Sequence, residues 1–396
     1  MAAVPTIVHM DADAFFVSCE QALDPSLVGR KCAVGGRERG IISSASYEAR
    51  ACGVYTPMPT ARALRVCPDL HMIPHTPGLY GKVSRQVFDL CEGLTPLVQR
   101  NSIDEGYLDL GPCAHRTTQA AEEAVRGLQR RILAELRIPV SMGIASNKLV
   151  AQIASKLRKP RGFVVVEPGT EAAFLSPLPL GRLPGIGAKT EEVFAAAGFR
   201  LVSDLFARPQ EEVAAVAGSG WRGLLAQGRG EDDSPVETER EDAKSYSKQE
   251  TFFADTADFA EVERVAKRMI DELMPSIRAD CVKVRTMTVK VRYPDFGHES
   301  HGQSLASPSD IEAPFYALAG PLLRGAWARR GPIRLVSVKL SGVDSGPSQM
   351  EMFALADERM RRLAGVVDKL NKGGKDAVVH GHKIRPLDTG NKVGDT

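Results

Sequence analysis

Acidic residues stand where two short apolar stretches of the sequence end or begin. Residues 7–10 predict a short buried strand that ends at Asp11, and residues 102–110 predict a second strand that opens with Asp104 and Glu105. Side chains alternate along a strand, so the two adjacent carboxylates can serve one site only where the second strand begins. A buried carboxylate is costly unless it is paired or bound to a cation. The three acids therefore predict a cation site.

The cation that suits these side chains is Mg²⁺, which prefers oxygen ligands and is often held by one or two carboxylates and substrate phosphates. Asp11, Asp104 and Glu105 could hold two such ions about 3.5–4 Å apart, as in two-metal phosphoryl-transfer sites. Asp13 has a competing explanation, because it can cap the helix that begins near Phe15. We expect the cap for Asp13.

A strand-to-helix turn near residue 46 carries groups that suit phosphate oxygens. Residues 41–43 predict a strand and residues 46–51 predict the start of a short helix, with Ser44, Tyr47 and Arg50 around the turn. Hydroxyls, backbone amides and a guanidinium can all bind phosphate. Such a turn alone is more typical of a solvated surface. Beside the acidic strands it predicts a triphosphate site.

Together these stretches resemble the Y-family (translesion) DNA polymerases, and within them the bacterial DNA polymerase IV branch. The motifs that carry the resemblance follow one another in the family's order, at residues 10–16, 44–50, 102–109, 159–160 and 183–187. The likeness extends over residues 5 to 343. Several motifs in order are far more specific than any one of them.

The resemblance implies roles for individual residues. Asp11, Asp104 and Glu105 would carry two Mg²⁺ ions, with help from the carbonyl of Ala12. Phe16 matches the steric gate, an aromatic side chain that packs where a ribose 2′-hydroxyl would lie. The incoming triphosphate would be held by Ser44, Tyr47, Arg50 and Lys159.

Two positions depart from the family's pattern. Family members often have Thr where Ser44 stands and Ala where Gly106 stands. Both exchanges replace one small residue by another, and we expect neither to impair activity. Gly106 has no Cβ, which would let another backbone or a ligand come close.

A chain of 396 residues predicts two or more domains. The resemblance implies an α+β, multidomain, right-hand polymerase fold. Its expected parts are a palm over 1–13 and 77–167, small fingers over 14–76, a helical thumb with a helix-hairpin-helix over 168–235, a linker over 236–243, a C-terminal βαββαβ little-finger domain over 244–343 and a tail over 344–396.

The pattern within the palm predicts helices packed on a sheet. Apolar residues at spacings of three and four predict an amphipathic helix with Ala121, Val125, Leu128, Ile132 and Leu136 on one face. Pro139 is expected to end it. Residues 140–145 predict the next strand, Ser146 the cap of a helix through Leu157, and residues 162–167 another buried strand.

Two regions are predicted to contact DNA. Gly185 and Gly187, followed by Lys189, resemble a helix-hairpin-helix, whose backbone amides can face a DNA phosphate, although an ordinary turn between helices is the alternative. In the little finger, residues 284–293 predict a strand with one apolar face and one polar face. The polar face carries Thr286, Thr288, Lys290 and Arg292. Such a face alone is as typical of a solvated surface, but the resemblance favours salt-dependent contact with a duplex, at the last three of these residues.

The tail contains a possible peptide for a bacterial sliding clamp. Gln349, Met352 and Phe353 resemble such a peptide, which docks its apolar side chains in a preformed groove. Beyond it, helical spacing predicts a small packing helix with Met360, Leu363, Val367 and Leu370 on one face.

Composition sets broad limits on the kind of protein. A formal charge of +2, with 43% apolar and 25% charged residues, is ordinary for a globular chain and does not by itself argue for nucleic acid. The seven cysteines show no CxxC pairing and predict small buried side chains in a reducing cytosol. The absence of a signal or long apolar run predicts a cytoplasmic protein without membrane contact. Nothing demands more than a monomer.

The implied function is low-fidelity, template-directed addition of deoxynucleotides to a primer 3′ end, with lesion bypass and no proofreading exonuclease. Primer–template DNA, deoxynucleoside triphosphates and a sliding clamp are the implied partners. Two alternatives stay open: a catalytically inactive, polymerase-like adaptor that holds DNA and recruits the clamp, and a helix-hairpin-helix repair enzyme. Analysis of the DNA products would distinguish the three, because a polymerase extends the primer, an adaptor only binds DNA and a repair enzyme cleaves a strand.

Overall fold

The computed structural model describes residues 4–36, 39–113, 115, 117–239, 241–329, 331–346, 355–371 and 377–378. The chain forms two compact units, residues 1–240 and 241–396. In the described part of the chain, every helix is too short or too polar to cross a membrane.

The first unit contains strands and helices in alternation, followed by a helical segment. Its strands are β1 (Ile7–Ala12), β2 (Cys32–Gly35), β3 (Ile42–Ala45), β4 (His71–Ile73), β5 (Leu97–Arg100), β6 (Glu105–Asp109), β7 (Val140–Ala145) and β8 (Phe163–Val165). Its helices are α1 (Phe15–Leu23), α2 (Tyr47–Ala51), α3 (Thr60–Val66), α4 (Leu79–Glu92), α5 (Thr118–Leu136), α6 (Lys148–Leu157), α7 (Glu171–Leu175), α8 (Ala188–Ala196), α9 (Asp204–Ala207), α10 (Gln210–Ala217) and α11 (Trp221–Gly228).

A five-stranded sheet in the order β5-β6-β1-β7-β8 lies at the centre of this unit. β1 is the middle strand and pairs antiparallel with β6 and β7, while β8 runs parallel to β7. The strand predicted over 140–145 is confirmed. The strand predicted over 162–167 is shorter, since β8 keeps only Phe163–Val165, and its residues are half-buried. β2, β3 and β4 form a separate small sheet.

Different helices cover the two faces of the central sheet. Val8 and Met10 pack with α4 and α5 in one core, and α6 packs on β1 and β7 from the other side. Because side chains alternate along β1, His9 and Asp11 lie on the α6 face. The amphipathic helix predicted over 121–136 is confirmed as α5, which ends three residues before Pro139.

Two predicted helix caps are wrong. The N-cap of α1 is Ala14, in the left-handed region at φ 47°, and no side chain caps this helix. Asp13 is turned into the protein instead. The N-cap of α6 is Asn147, whose side chain accepts a hydrogen bond from Val150 N–H at 3.0 Å. Ser146 donates its hydroxyl to Glu171, at 2.6 Å, so a tertiary contact takes the place of the cap.

The second unit has the predicted order of strand, helix, strand, strand, helix and strand. Its elements are β9 (Ser245–Thr256), α12 (Phe259–Ala279), β10 (Lys283–Arg292), β11 (His298–Ser309), α13 (Ala313–Ala326), β12 (Ile333–Asp344) and α14 (Leu355–Asn371). The sheet is antiparallel, in the order β11-β10-β12-β9. The predicted apolar face of β10 packs in the core with α12 and α13 through Met287, Val289 and Val291.

The predicted tail helix is present as α14, but only Val367 of its predicted apolar row is half-buried. Met360, Leu363 and Leu370 are 43%, 56% and 55% exposed. Ion pairs hold the helix to its unit instead, since Arg278 Nε lies 2.7 Å from Asp368 and Arg361 Nε lies 2.8 Å from Asp310.

Candidate active site

Asp11 and Glu105 stand directly opposite each other on the neighbouring strands β1 and β6. Asp104 comes just before the first residue of β6, and its carbonyl oxygen accepts a hydrogen bond from Ala12 N–H at 2.9 Å. The strand therefore begins between the two adjacent acids, as the alternation of side chains requires if both are to serve one site.

A lysine is paired with each of the two opposed carboxylates. Lys159 Nζ contacts Asp11 Oδ1 and lies 3.6 Å from Asp13 Oδ1. Lys156 Nζ lies 3.2 Å from Glu105 Oε2. Lys156 belongs to α6 and Lys159 to the loop after it, so one segment places two ammonium groups against the acids.

The acids suit a divalent cation by their chemistry, and the lysines already place positive charge there. Burial raises the pKa of the Asp11 carboxyl, and the charge of Lys159 opposes that rise. Carboxylate oxygens are the ligands that Mg²⁺ prefers. Within the described residues no three acidic, His or Cys side chains converge closely enough to hold a metal as they stand. Metal binding therefore requires the lysines to leave the acids and the carboxylates to turn together.

A cavity of about 220 Å³ opens beside the acids. Its lining consists of Asp11, Ala12, Ala14, Phe15, Phe16, Ser43, Ser44, Arg50, Thr56, Asp104 and Lys159. All of these were predicted as site residues except Ala14, Phe15, Ser43 and Thr56. The structure thus brings the acidic strand ends and the turn near residue 46 to one cavity.

Of the residues predicted to bind metal or triphosphate, Tyr47 and Glu105 do not line the cavity. Tyr47 lies beneath Arg50, whose guanidinium carbon is 4.7 Å from the centre of the Tyr47 ring. The Tyr47 hydroxyl donates to Asp13 Oδ1 at 3.3 Å, and burial raises the pKa of this phenol. Arg50 is exposed, and its Nε donates to the carbonyl of Ala45 at 3.0 Å.

Asp13 joins four segments around the site. Its carboxylate is fully buried and accepts hydrogen bonds from the Ser141 hydroxyl at 2.9 and 3.0 Å and from Arg161 N–H at 2.7 Å, besides that of Tyr47. The Arg161 contact fixes the loop that presents Lys159. Nothing in the local sequence separates this role from a helix cap, because the donors lie far away in the chain.

The ring of Phe16 is held by a second layer of aromatic side chains. It packs on Tyr80 with ring centroids 4.5 Å apart and on His75 with centroids 5.9 Å apart. The Tyr80 hydroxyl donates to Glu20 Oε1 at 2.6 Å, which fixes Tyr80 in turn. Phe16 therefore stands at the cavity as a supported ring. Tyr80 was not predicted.

Behind the acids lies His9, which the sequence analysis also missed. Its ring is fully buried, with Nδ1 2.7 Å from the Ser155 hydroxyl and Nε2 3.8 Å from Glu105 Oε2. Burial, reinforced by Lys156 and Lys159, lowers the pKa of this imidazole to about 3. The ring is therefore neutral at physiological pH.

Gly106 is tightly enclosed by protein. A Cβ at this position would lie 2.6 Å from the carbonyl oxygen of Gln99 and 2.7 Å from Cε1 of Phe88. The close approach predicted for this glycine therefore involves the neighbouring strand and a ring of α4.

The predicted DNA-contacting residues lie on accessible parts of each unit. Gly185 has φ +89°, Gly187 is the N-cap of α8, and a Cβ at either would meet nothing within 4 Å. Lys189 is exposed. On the open face of β10, Thr288, Lys290 and Arg292 are half-buried, and Arg292 Nε has no hydrogen-bond partner in the described part of the chain. Gln349, Met352 and Phe353 lie outside the described residues.

Comparison with known proteins agrees with the arrangement of motifs along the chain. The model of the impB/mucB/samB family matches residues 10–156, that of its C-terminal domain matches residues 243–352, and that of the IMS family HHH motif matches residues 168–199.

Individual relatives cover nearly the whole chain. A DNA polymerase IV of Opitutus terrae is 67% identical over 383 residues, which are 96% of this chain and 98% of that protein. A DNA polymerase IV of Methanoculleus marisnigri is 37% identical over 86% of this chain and 95% of its own length. The solved structure of a Y-family DNA polymerase chimera, Dbh-Dpo4(243-245)-Dbh, superimposes with a TM-score of 0.78 at 26% identity, over 86% of this chain and 99% of the chimera.

Proposed function

The chain belongs to the impB/mucB/samB family and is a Y-family, translesion DNA-directed DNA polymerase, and we propose that its chemistry takes place between Asp11, Asp104 and Glu105. One observation supports this placement above others. The ends of β1 and β6 bring the acids together beside a cavity that Phe16 and Arg50 also line. An inactive adaptor would need no such arrangement.

Two Mg²⁺ ions are the proposed cofactors, with Asp11, Asp104, Glu105 and the carbonyl of Ala12 as ligands. When bound, they would make the primer 3′-hydroxyl more acidic and stabilise the pyrophosphate that leaves. The chain itself neutralises these acids with Lys156 and Lys159 while no metal is present. Asp11 is held at the end of a paired strand, so its backbone is already fixed when its carboxylate turns toward a metal.

The incoming triphosphate is proposed to bind Arg50, Ser44 and Lys159. Arg50 stands exposed at the cavity and can neutralise charge that develops on the leaving phosphates. Tyr47 supports Arg50 from below through its ring. Lys159 would turn from Asp11 to the triphosphate once metal takes its place. Phe16, held by Tyr80, would exclude a ribose 2′-hydroxyl by contact alone.

DNA and deoxynucleotides are the substrates of a DNA polymerase, and the DNA contacts proposed here are sequence-independent. The backbone at Gly185 and Gly187, with Lys189, would bind phosphates from the first unit, and Thr288, Lys290 and Arg292 would do so from the second. We keep the predicted palm, fingers, thumb and little finger as the proposed division of the chain, and expect a cytoplasmic monomer.

A bacterial sliding clamp is the further proposed partner, bound through Gln349, Met352 and Phe353. A synthetic peptide of residues 347–354 should compete with the full chain for the clamp. A peptide with Met352 and Phe353 replaced by Ala is the control. If the two peptides compete equally weakly with the full chain at high micromolar concentration, the proposed clamp-binding site is wrong.

Primer extension tests the proposed active site. The parent should extend a primed template with Mg²⁺ and deoxynucleotides, whereas Asp104→Ala should be slower by about a thousandfold or more, because the lost ligand raises the barrier by several kcal/mol. Asp109→Ala, at the far end of β6, is the matched control and should retain extension. If parent and variant bind DNA and neither extends it, the adaptor alternative replaces this proposal.

A further inference from the structure

His9 is a fully buried polar group near the acids that neither the proposed metal site nor the proposed triphosphate site uses. It lies two residues before Asp11, fully buried, and packs edge-on against Tyr107 with ring centroids 4.7 Å apart. Buried polar atoms are normally hydrogen-bonded. Nδ1 has the Ser155 hydroxyl as its partner, but Nε2 has no hydrogen bond within the described residues and faces Glu105.

We propose that His9 is a positioning residue, which holds the Glu105 carboxylate by a hydrogen bond donated from Nε2–H. Nε2 lies 3.8 Å from Glu105 Oε2. A small rotation of the glutamate side chain brings the two atoms within hydrogen-bond distance. The inference rests on the proposed function, since it deepens the role of Glu105 as a metal ligand.

The Ser155 hydroxyl accommodates a proton on either nitrogen of the ring, so the Glu105 carboxylate decides between the two forms. If Nδ1 carries it, the Ser155 hydroxyl accepts from Nδ1–H and donates to the Gln152 carbonyl, 2.9 Å away. Nε2 would then present a lone pair to a carboxylate, which is repulsive. If Nε2 carries the proton, the hydroxyl donates to Nδ1 instead, and Nε2–H faces the carboxylate. The Gln152 carbonyl still has a backbone N–H partner in α6, so the second arrangement leaves no group unpaired.

His9 and Lys156 approach the same oxygen of Glu105, Oε2. Among the described residues no side chain donates a hydrogen bond to Oε1, and this oxygen faces away from the nearest approach of His9 and Lys156. The two neighbours differ in mobility, because His9 is buried in the sheet while the Lys156 side chain is 39% exposed. When a metal displaces Lys156, His9 stays and keeps the carboxylate oriented.

The tautomer can be measured without DNA, metal or activity. Long-range ¹H–¹⁵N correlation spectra of the full-length ¹⁵N-labelled protein distinguish the two forms, and loss of a signal in His9→Gln identifies His9. We expect a protonated Nε2 and an unprotonated Nδ1. A protonated Nδ1 with a bare Nε2 in the parent would overturn the inference.

A pair of substitutions separates positioning from packing. The side-chain nitrogen of Gln reaches about where Nε2 lies, and that of Asn reaches about where Nδ1 lies. His9→Gln should therefore extend primers within about threefold of the parent, and His9→Asn should lose about tenfold or more in kcat with the KM for nucleotide unchanged, about 1.4 kcal/mol of barrier. Both substitutions should shift the midpoint of unfolding by similar amounts, because each removes the same buried ring.

Equal losses of kcat in the Gln and Asn variants would contradict the inference, because the ring would then matter only by filling space. Failure of the parent to extend primers would instead count against the proposed function. In that case the tautomer still decides whether His9–Nε2 donates toward Glu105.

Discussion

The ammonium group of Lys159 contacts Oδ1 of Asp11, so a residue proposed to bind triphosphate neutralises a residue proposed to bind metal. The two roles exclude each other at one moment, since the lysine and a cation compete for the same carboxylate. The apo protein is thereby kept from holding bare, adjacent negative charges. Binding of metal and binding of triphosphate become linked through the movement of one side chain.

This competition predicts opposite effects of removing the lysine. Lys159→Met should bind Mn²⁺ more tightly than the parent in the absence of nucleotide, by about tenfold, because opposed charges near a protein surface interact by a few kcal/mol at contact. The same variant should extend primers more slowly. Titration calorimetry and primer extension measure the two effects, with Lys148→Met, at the start of α6, as control. Weaker Mn²⁺ binding in Lys159→Met would contradict the competition.

Asp11 should make folding stability depend on pH in an unusual direction. Burial raises the pKa of this carboxyl above its ordinary value of 3.8. At pH values between the ordinary pKa of this carboxyl and its raised pKa in the folded protein, the folded state binds more protons than the unfolded state. The free energy of unfolding therefore falls as pH rises through this range. Asp11→Asn should therefore have a higher free energy of unfolding than the parent at neutral pH. That difference should shrink as the pH is lowered to about 4. Urea unfolding at several pH values tests this, and a constant difference would show that the carboxyl does not titrate as stated.

Asp13 should matter more for folding than a helix cap does. Asp13→Ala leaves the Ser141 hydroxyl, Arg161 N–H and the Tyr47 hydroxyl without their buried acceptor. The expected loss is about 3–5 kcal/mol of unfolding free energy. Asp24→Ala, which removes an exposed acceptor for Ser26 N–H, is the control and should cost much less. Similar losses in the two variants would mean that Asp13 acts as no more than a local cap.

Sugar selection should depend on Phe16 and on the ring beneath it. Phe16→Ala should incorporate ribonucleotides far more readily than the parent, because contact alone would exclude the 2′-hydroxyl. Tyr80→Leu should weaken the discrimination partly, since Phe16 loses the ring that supports it. Tyr80→Phe keeps the ring and should discriminate like the parent. Single-nucleotide insertion with paired deoxy- and ribonucleotides measures this preference. If Phe16→Ala discriminates against ribonucleotides as strongly as the parent, Phe16 is not the steric gate.

Salt dependence of DNA binding should report on the open face of β10. Lys290→Ala should reduce the slope of log K against log[salt] by about 1, because one fewer phosphate is neutralised. Thr288→Ala lies two residues away on the same face and carries no charge, so its slope should match that of the parent. Fluorescence anisotropy over a range of salt concentrations is the measurement. A slope unaffected by Lys290→Ala would place the phosphate contacts elsewhere.

The sequence predicted elements well where the signal is local. Strand ends marked by acids, the apolar spacing of α5 and the two-faced pattern of β10 depend only on near neighbours. The missed features depend on residues distant in the chain. Asp13 has the sequence context of a cap, but its donors are Ser141 and Arg161. His9 resembles one more residue of a strand until α6 places Ser155 against it.

The exposed row on α14 has a related cause. Helical spacing identifies which side chains share a face, but it does not say which face meets the protein. The ion pairs of Arg278 with Asp368 and of Arg361 with Asp310 turn the polar side inward.

The enclosure of Gly106 limits the order in which this chain can change through evolution. An alanine at this position would place its Cβ 2.6 Å from the carbonyl oxygen of Gln99 and 2.7 Å from Cε1 of Phe88. The exchange is therefore not neutral in this background, although it looks conservative. A smaller or displaced side chain at residue 88 and a shift of the Gln99 carbonyl would both have to come first. Alanine at residue 106 is therefore accessible after these neighbours have changed and not before, which is an epistatic dependence.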